Sequence, residues 1–331
     1  MPPAPETGLR PTRRALLATA LAGTTLAGTT GCVASPTVEP RAGRGSRASA
    51  SPSTDPQAER ALLLEQSLAT QARAVLDHAK ALAVPGPQQA RLRALAAAHG
   101  AHAELLRSSL VVQPSATPAR APVGKDWTSA AQQLAAQEAS AHTQHLAALG
   151  RTPAGPPALL LASLAVFCQA APTAWGVAAV TMDPSTAAPG TETESLQVLL
   201  SRLRALVEGL QVGCGQVRPT DARATDGRTR LPRAMELRDQ VAQWIVEAGA
   251  AVPPAELSYR MPGPLTDARS VLATWTQLES LVLDAATRLA GASPAGARRE
   301  RALGMARGQA ARLDQLGAPL PVWPGWSAAS A

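Results

Sequence analysis

Apolar positions recur every three or four residues through most of the chain, from about residue 58 to residue 316. That period gathers them on one face of an α-helix and leaves the other face polar. The first segment, 58–83, carries Ala61, Leu64, Leu68, Ala72, Val75, Ala79 and Leu82, and Pro85-Gly86-Pro87 stops it. The second, 88–110, carries Leu92, Leu95 and Leu106, and a Pro-rich loop follows. Asp126 is placed to cap a third segment, 127–149. A fourth is expected over 156–181. Beyond a break at 183–193 the pattern resumes over 194–213, with Leu196, Leu199, Leu203, Leu206 and Leu210. A polar stretch, 216–230, reads as a loop. Further helices are expected over 232–249, 266–290 and 297–316. The tail, 319–326, is too Pro-rich for a helix, and its Trp residues are expected to pack back onto the helices.

This pattern predicts an all-α chain made of two sets of four helices, either two four-helix bundles in tandem or one larger helical body. The sets cover 58–182 and 194–331, joined by a linker at 183–193. The stretch between Arg151 and Asp183 carries no charge and is long enough to span a bilayer. Gln169, Pro172 and its many Ala, Ser and Thr positions fit a buried bundle helix better.

Composition agrees. Of 331 residues only 2% are aromatic. The lone Ile is Ile245, so a β-sandwich or barrel is excluded for want of strand-forming residues. The large rings cluster towards the end, at Trp244, Tyr259, Trp275, Trp323 and Trp326, whereas all five His lie in the first set. A polar interior is therefore expected in the first half and an aromatic one in the second.

The beginning of the chain reads as an address. Arg13 and Arg14 precede an uncharged run, 15–31, which ends at Cys32. The pair resembles a twin-arginine export signal. Thr29-Thr30-Gly31-Cys32 resembles a bacterial lipoprotein cleavage site, with Thr29 where an aliphatic residue is usual. Residues 1–31 are thus expected to be a signal peptide, with Cys32 lipidated; simple secretion with cleavage nearby is the alternative. Residues 32–57 read as a disordered tether rich in Pro, Ser, Arg and Gly. The expected location is the outer face of the cytoplasmic membrane, in the cell envelope, with the membrane as partner through the lipid and an unknown envelope protein as a further partner. Loss of the signal removes three Arg and one Glu, and the net charge falls from +7 to +5. Nucleic acid is excluded as a partner by export and by the scarcity of stacking aromatics. Cys168 and Cys214 then remain, either to form a disulfide outside the cytoplasm or to serve as small buried apolar residues.

Several segments carry a family resemblance. They are Leu63-Leu-Glu-Gln-Ser-Leu68, Leu95-Ala-Ala-Ala-His-Gly-Ala-His-Ala-Glu104, Leu196-Gln-Val-Leu-Leu200, Arg238-Asp239, the run Ala255 to Asp267 through Tyr259, and Val322-Trp-Pro-Gly325. Together they resemble a family of exported, Ala-rich, ferritin-like proteins from actinobacteria whose domain has no established function. The resemblance implies a ferritin-like fold without implying an activity.

One constellation could carry chemistry. Glu65 falls on the apolar side of the first helix. His99 and His102 continue the stripe of the second. Glu138, followed by His142 or His145, continues that of the third. A buried Glu is costly unless paired or metal-bound, and carboxylates with imidazoles from facing helices are how bundle metal sites are built. Glu65, His99, His102 and Glu138 are therefore the candidate ligands. A di-iron site needs Glu-x-x-His on two helices, but here His99-x-x-His102 replaces one. Cys168-Gln-Ala-Ala171 stands at the other place, and Leu203-Arg204 stands at the Glu-His place of the second set. No cofactor is expected beyond, at most, a single divalent metal ion. His78, beside Asp77, reads as solvated. No catalytic residue is assigned. The favoured reading is a non-catalytic binding or scaffold lipoprotein with a degenerate metal site, and the alternative is a divalent-metal-binding protein that uses this cluster.

Overall fold

A computed structural model describes residues 56–109, 122–174, 176–179 and 190–326. The expectations for Arg13, Arg14 and Cys32, for the tether as far as residue 55, and for linker residues 183–189 lie outside the described residues. Among the described residues there are eight α-helices and no strand: α1 (Pro56–Asp77), α2 (Gly86–Ser109), α3 (Trp127–Leu149), α4 (Pro156–Ala170), α5 (Glu192–Gln216), α6 (Ala222–Glu247), α7 (Ala268–Ala292) and α8 (Ala297–Gln315). The fold is all-α, as the periodicity predicts.

Local chemistry sets the boundaries. Asp126 caps α3 as expected, accepting from Ser129 N, while the Ser129 hydroxyl returns to the Asp126 backbone. Thr191 with Glu194 and Asp267 with Ser270 start α5 and α7 in the same way. Two boundaries differ from the sequence reading. α4 ends at Ala170 instead of running to 181, because Pro172 cannot continue the ladder. Beyond it Gly176–Ala178 pairs with Leu320 of the tail, with Ala178 N donating to Leu320 O at 2.9 Å and Leu320 N to Gly176 O at 2.8 Å. α6 starts ten residues earlier than expected, inside the polar stretch read as a loop. Asp221 caps it, and Pro232 is accommodated within the helix.

Small residues decide how the helices meet. α1 packs on α2 and α3, and α3 on α4. α5 packs on α6 and α7, and α7 on α8. Trp275 of α7 fills the space where α5 and α6 come together, donating from Nε1 to Gly209 O at 2.8 Å. A Cβ at Gly213 would stand 2.7 Å from that indole, and one at Gly227 2.4 Å from it. The two sets are joined directly, since α4 also packs on α7 and α8. At that seam Gly291 abuts α4 so closely that a Cβ would lie 2.6 Å from Leu159 Cα. The buried Arg299 of α8 donates to Leu149 O and Thr152 O at the end of α3 and to Ser293 O, closing the seam with charge-assisted bonds. One contiguous apolar core runs through both sets.

Candidate metal centre

Glu65 is wholly buried between Leu62 and Leu68 on the inner face of α1. Its carboxylate is the hub of a cluster drawn from four helices. Oε2 accepts from His99 Nδ1 at 2.7 Å and from His102 Nδ1 at 2.9 Å, both on α2. Oε1 accepts from His145 Nε2 on α3 at 2.8 Å and faces Cys168 Sγ on α4 at 3.7 Å. His99 Nε2 reaches Glu138 Oε1 on α3 at 2.8 Å. His102 Nε2 donates to the Val322 carbonyl of the tail at 2.9 Å. All six side chains are almost completely inaccessible to water.

The structure thus brings together Glu65, His99, His102 and Glu138, the four residues singled out from sequence. Between the two candidates on α3 it selects His145. His142 turns away and donates from Nδ1 to Ala165 O at 2.7 Å. His78 is exposed and bonds to Ala74 O of its own helix. Of the two readings left open for Cys168 and Cys214, the structure shows no disulfide. Cys168 lies against Glu65 inside the first set, whereas the half-buried Cys214 on α5 faces Ala224 O of α6, so both thiols are free.

Hydrogen-bond logic fixes much of the protonation. Both ring nitrogens of His99 face carboxylates, and both of His102 face acceptors. As imidazolium, His99 donates to both carboxylates. Burial alone would lower the His99 pKa, but Glu138 and Glu65 push it up to about 10. Burial alone would raise that of Glu65, but the charges of His102 and His99 and the bonds from His102 and His145 hold it well below the usual carboxylate range. Cys168 is pushed well up, first by burial and then by Glu65 and Glu138, so it stays a thiol. Glu138 Oε2 is buried and accepts no hydrogen bond.

The walls are aromatic. Phe167 meets both His rings edge-on, with ring centroids 5.4 Å from His99 and 4.8 Å from His102. Trp323 covers His102 at 4.6 Å. A narrow cleft of about 60 Å³ between Arg91, Trp127 and Pro172 has Glu138 in its lining. Division into a polar first half and an aromatic second half therefore needs correction. Trp323 seals the first set, and the second encloses charge of its own: Arg230 forks onto the buried Glu279 at 2.7 and 2.8 Å, and Gln309 bonds to both.

Three sets of these buried groups could hold a cation. Glu65, His99 and His102 offer ligand atoms within 4.8 Å of one another, as do Glu65, His145 and Cys168, and His99, Glu138 and Cys168. Imidazole with carboxylate suits Zn²⁺, Fe²⁺ or Mn²⁺ better than Ca²⁺ or Mg²⁺, which prefer oxygen. No protein-family model, curated protein or solved structure matches the chain. Among the described residues no helix is long and apolar enough to cross a membrane.

Proposed function

We propose that this is an exported, lipid-anchored, ferritin-like protein whose first helical set binds one divalent transition-metal ion through Glu65, His99 and His102. The carrying observation is the second hydrogen bond of each His. His102 gives Nε2–H to Val322 O and His99 gives Nε2–H to Glu138, so both turn Nδ1 to the same oxygen of Glu65. Metal-binding His residues are oriented in this way, with the outer nitrogen held by a carbonyl or carboxylate. A dication bound there would take the place of the protons that the two Nδ1 atoms direct at Glu65. His145 and Cys168 hold the other oxygen of Glu65 and keep the carboxylate in place. Three protein ligands leave a coordination position free. The ferritin-like reading rests on the sequence resemblance, and the lipid anchor on Cys32.

A second reading has support of its own. Glu65 already has four partners, so the cluster could serve as a metal-free polar core in a scaffold lipoprotein. Cobalt(II) titration separates the two. Binding predicts a saturable visible absorption band that is lost in Glu65→Gln and His102→Ala and unchanged in His78→Ala. A featureless spectrum at saturating cobalt would favour the scaffold.

A further inference from the structure

The second set holds a different kind of site. α6 and α8 are linked by the Arg230–Gln309 and Arg312–Asp226 bonds. They flank an open cleft of about 550 Å³, walled by Arg230, Arg233, Arg301 and Arg312 with Asp226 and Gln309. Its floor is rigid. Arg230 is fixed by its fork onto Glu279 and by Gln309 Oε1 at 2.7 Å. Arg312 is bound to Asp226. Its Nε is buried without a hydrogen-bond partner and lies 3.7 Å from Glu279 Oε1. The rim is freer: Arg233 and Arg301, from opposite helices, are both exposed, and Arg233 pairs with the exposed Glu236 at 2.9 Å. Such exposed pairs contribute little and exchange readily. Gly308 on the α8 wall has nothing within 4 Å of where a Cβ would be, so that wall stays open.

Four guanidinium groups therefore face one cleft, against Asp226 and Glu279 in its wall and floor and Glu236 at its rim. The cleft keeps a positive excess with all three carboxylates counted. Arginine forks present paired N–H donors that match phosphate oxygens. We propose that the α6–α8 cleft binds a phosphate group, carried either by a small soluble ligand or by a lipid headgroup, with Arg233 and Arg301 closing on it from the two sides. This site is separate from the metal centre and does not depend on it.

The test uses the full-length chain with Cys32→Ser, to keep lipid off, after treatment with a chelator. Pyrophosphate and inorganic phosphate are titrated calorimetrically, and vesicles of phosphatidylglycerol in phosphatidylcholine are assayed by co-sedimentation. Saturable binding of pyrophosphate, weakened about tenfold or more in Arg233→Ala/Arg301→Ala, supports a soluble ligand. Vesicle binding alone, lost in the same variant, supports a headgroup. These two arginines are exposed, so the fold should persist, and an unchanged helical circular dichroism spectrum checks this. Binding to none of the three probes, or binding that the double variant leaves unaltered, overturns the proposal.

Discussion

His102 on α2 donates to the backbone carbonyl of Val322, 2.9 Å away, across 220 residues of sequence. Through that bond the end of the chain closes the centre formed near its beginning. Trp323, the next residue, lies edge-on to the same ring, and Gly325 N donates to Asp284 of α7 at 2.8 Å. Tail, α2 and α7 are thus tied together around one histidine.

Trp323→Ala should open this seal. Loss of a buried indole is expected to cost about 3–5 kcal/mol. It should also loosen His102 and weaken metal affinity about tenfold or more, as loss of an outer-shell support does. Urea denaturation and competitive zinc titration would measure the two effects separately.

Glu65→Ala should be the most damaging change in the cluster. It removes the acceptor that holds His99, His102 and His145 and strands buried imidazolium charge. Breaking a buried pair from one side costs about 3–5 kcal/mol. Equilibrium unfolding of the metal-free protein would check this; an effect within experimental error would contradict the geometry.

Stability of the metal-free protein should fall towards alkaline pH. The His99 pKa is raised from the ordinary value of about 6.5 to about 10 in the fold. Its contribution is therefore full below about pH 6.5 and is lost as pH rises through about 10. That of Glu65 has the opposite sign: its folded pKa is depressed, so its contribution is present above the ordinary carboxylate range and is lost in strong acid. Bound metal should reverse the alkaline trend, because binding must displace protons from the rings and so strengthens with pH. Melting temperatures between pH 6 and pH 10, with and without zinc, test the alkaline fall and its reversal by metal.

Gly291→Ala should disturb the joint between the two sets. The new methyl would meet backbone of α4 at 2.6 Å, and backbone cannot swing aside as a side chain can. A cost of about 1–3 kcal/mol is expected from overpacking, read as a lower melting temperature for the whole chain.

Much of this was legible in the sequence because it is periodic. The stripe that buries Leu62 and Leu68 also buries Glu65, and the stripe through Leu92 and Leu95 brings in His99 and His102. What periodicity could not resolve was any choice between near neighbours. His142 and His145 lie three residues apart on one helix, and only the position of α4 sends the first to a carbonyl and the second to Glu65. Cys168 resembles any small apolar residue until its partner is known. The Val322 carbonyl is backbone and carries no sequence signal. The first turns of α6 were hidden by their polarity, since their inward contacts are made by Ala224 and Gly227 and not by large apolar residues.

Both Cys168 and Cys214 should be alkylated by iodoacetamide in the unfolded chain without prior reduction. Mass spectrometry would count the modified thiols. Protection of both until a reductant is added would restore the disulfide.

The central claim is that the Glu65–His99–His102 centre holds a metal, and elemental analysis tests it most directly. The full-length chain, purified without a tag, would be incubated in turn with Zn²⁺, Fe²⁺ and Mn²⁺, desalted and measured by mass spectrometry of the elements. The account predicts about one equivalent of at least one of these metals, lost in His102→Ala. Retention of less than about a tenth of an equivalent of each, well below a one-to-one site, would contradict it.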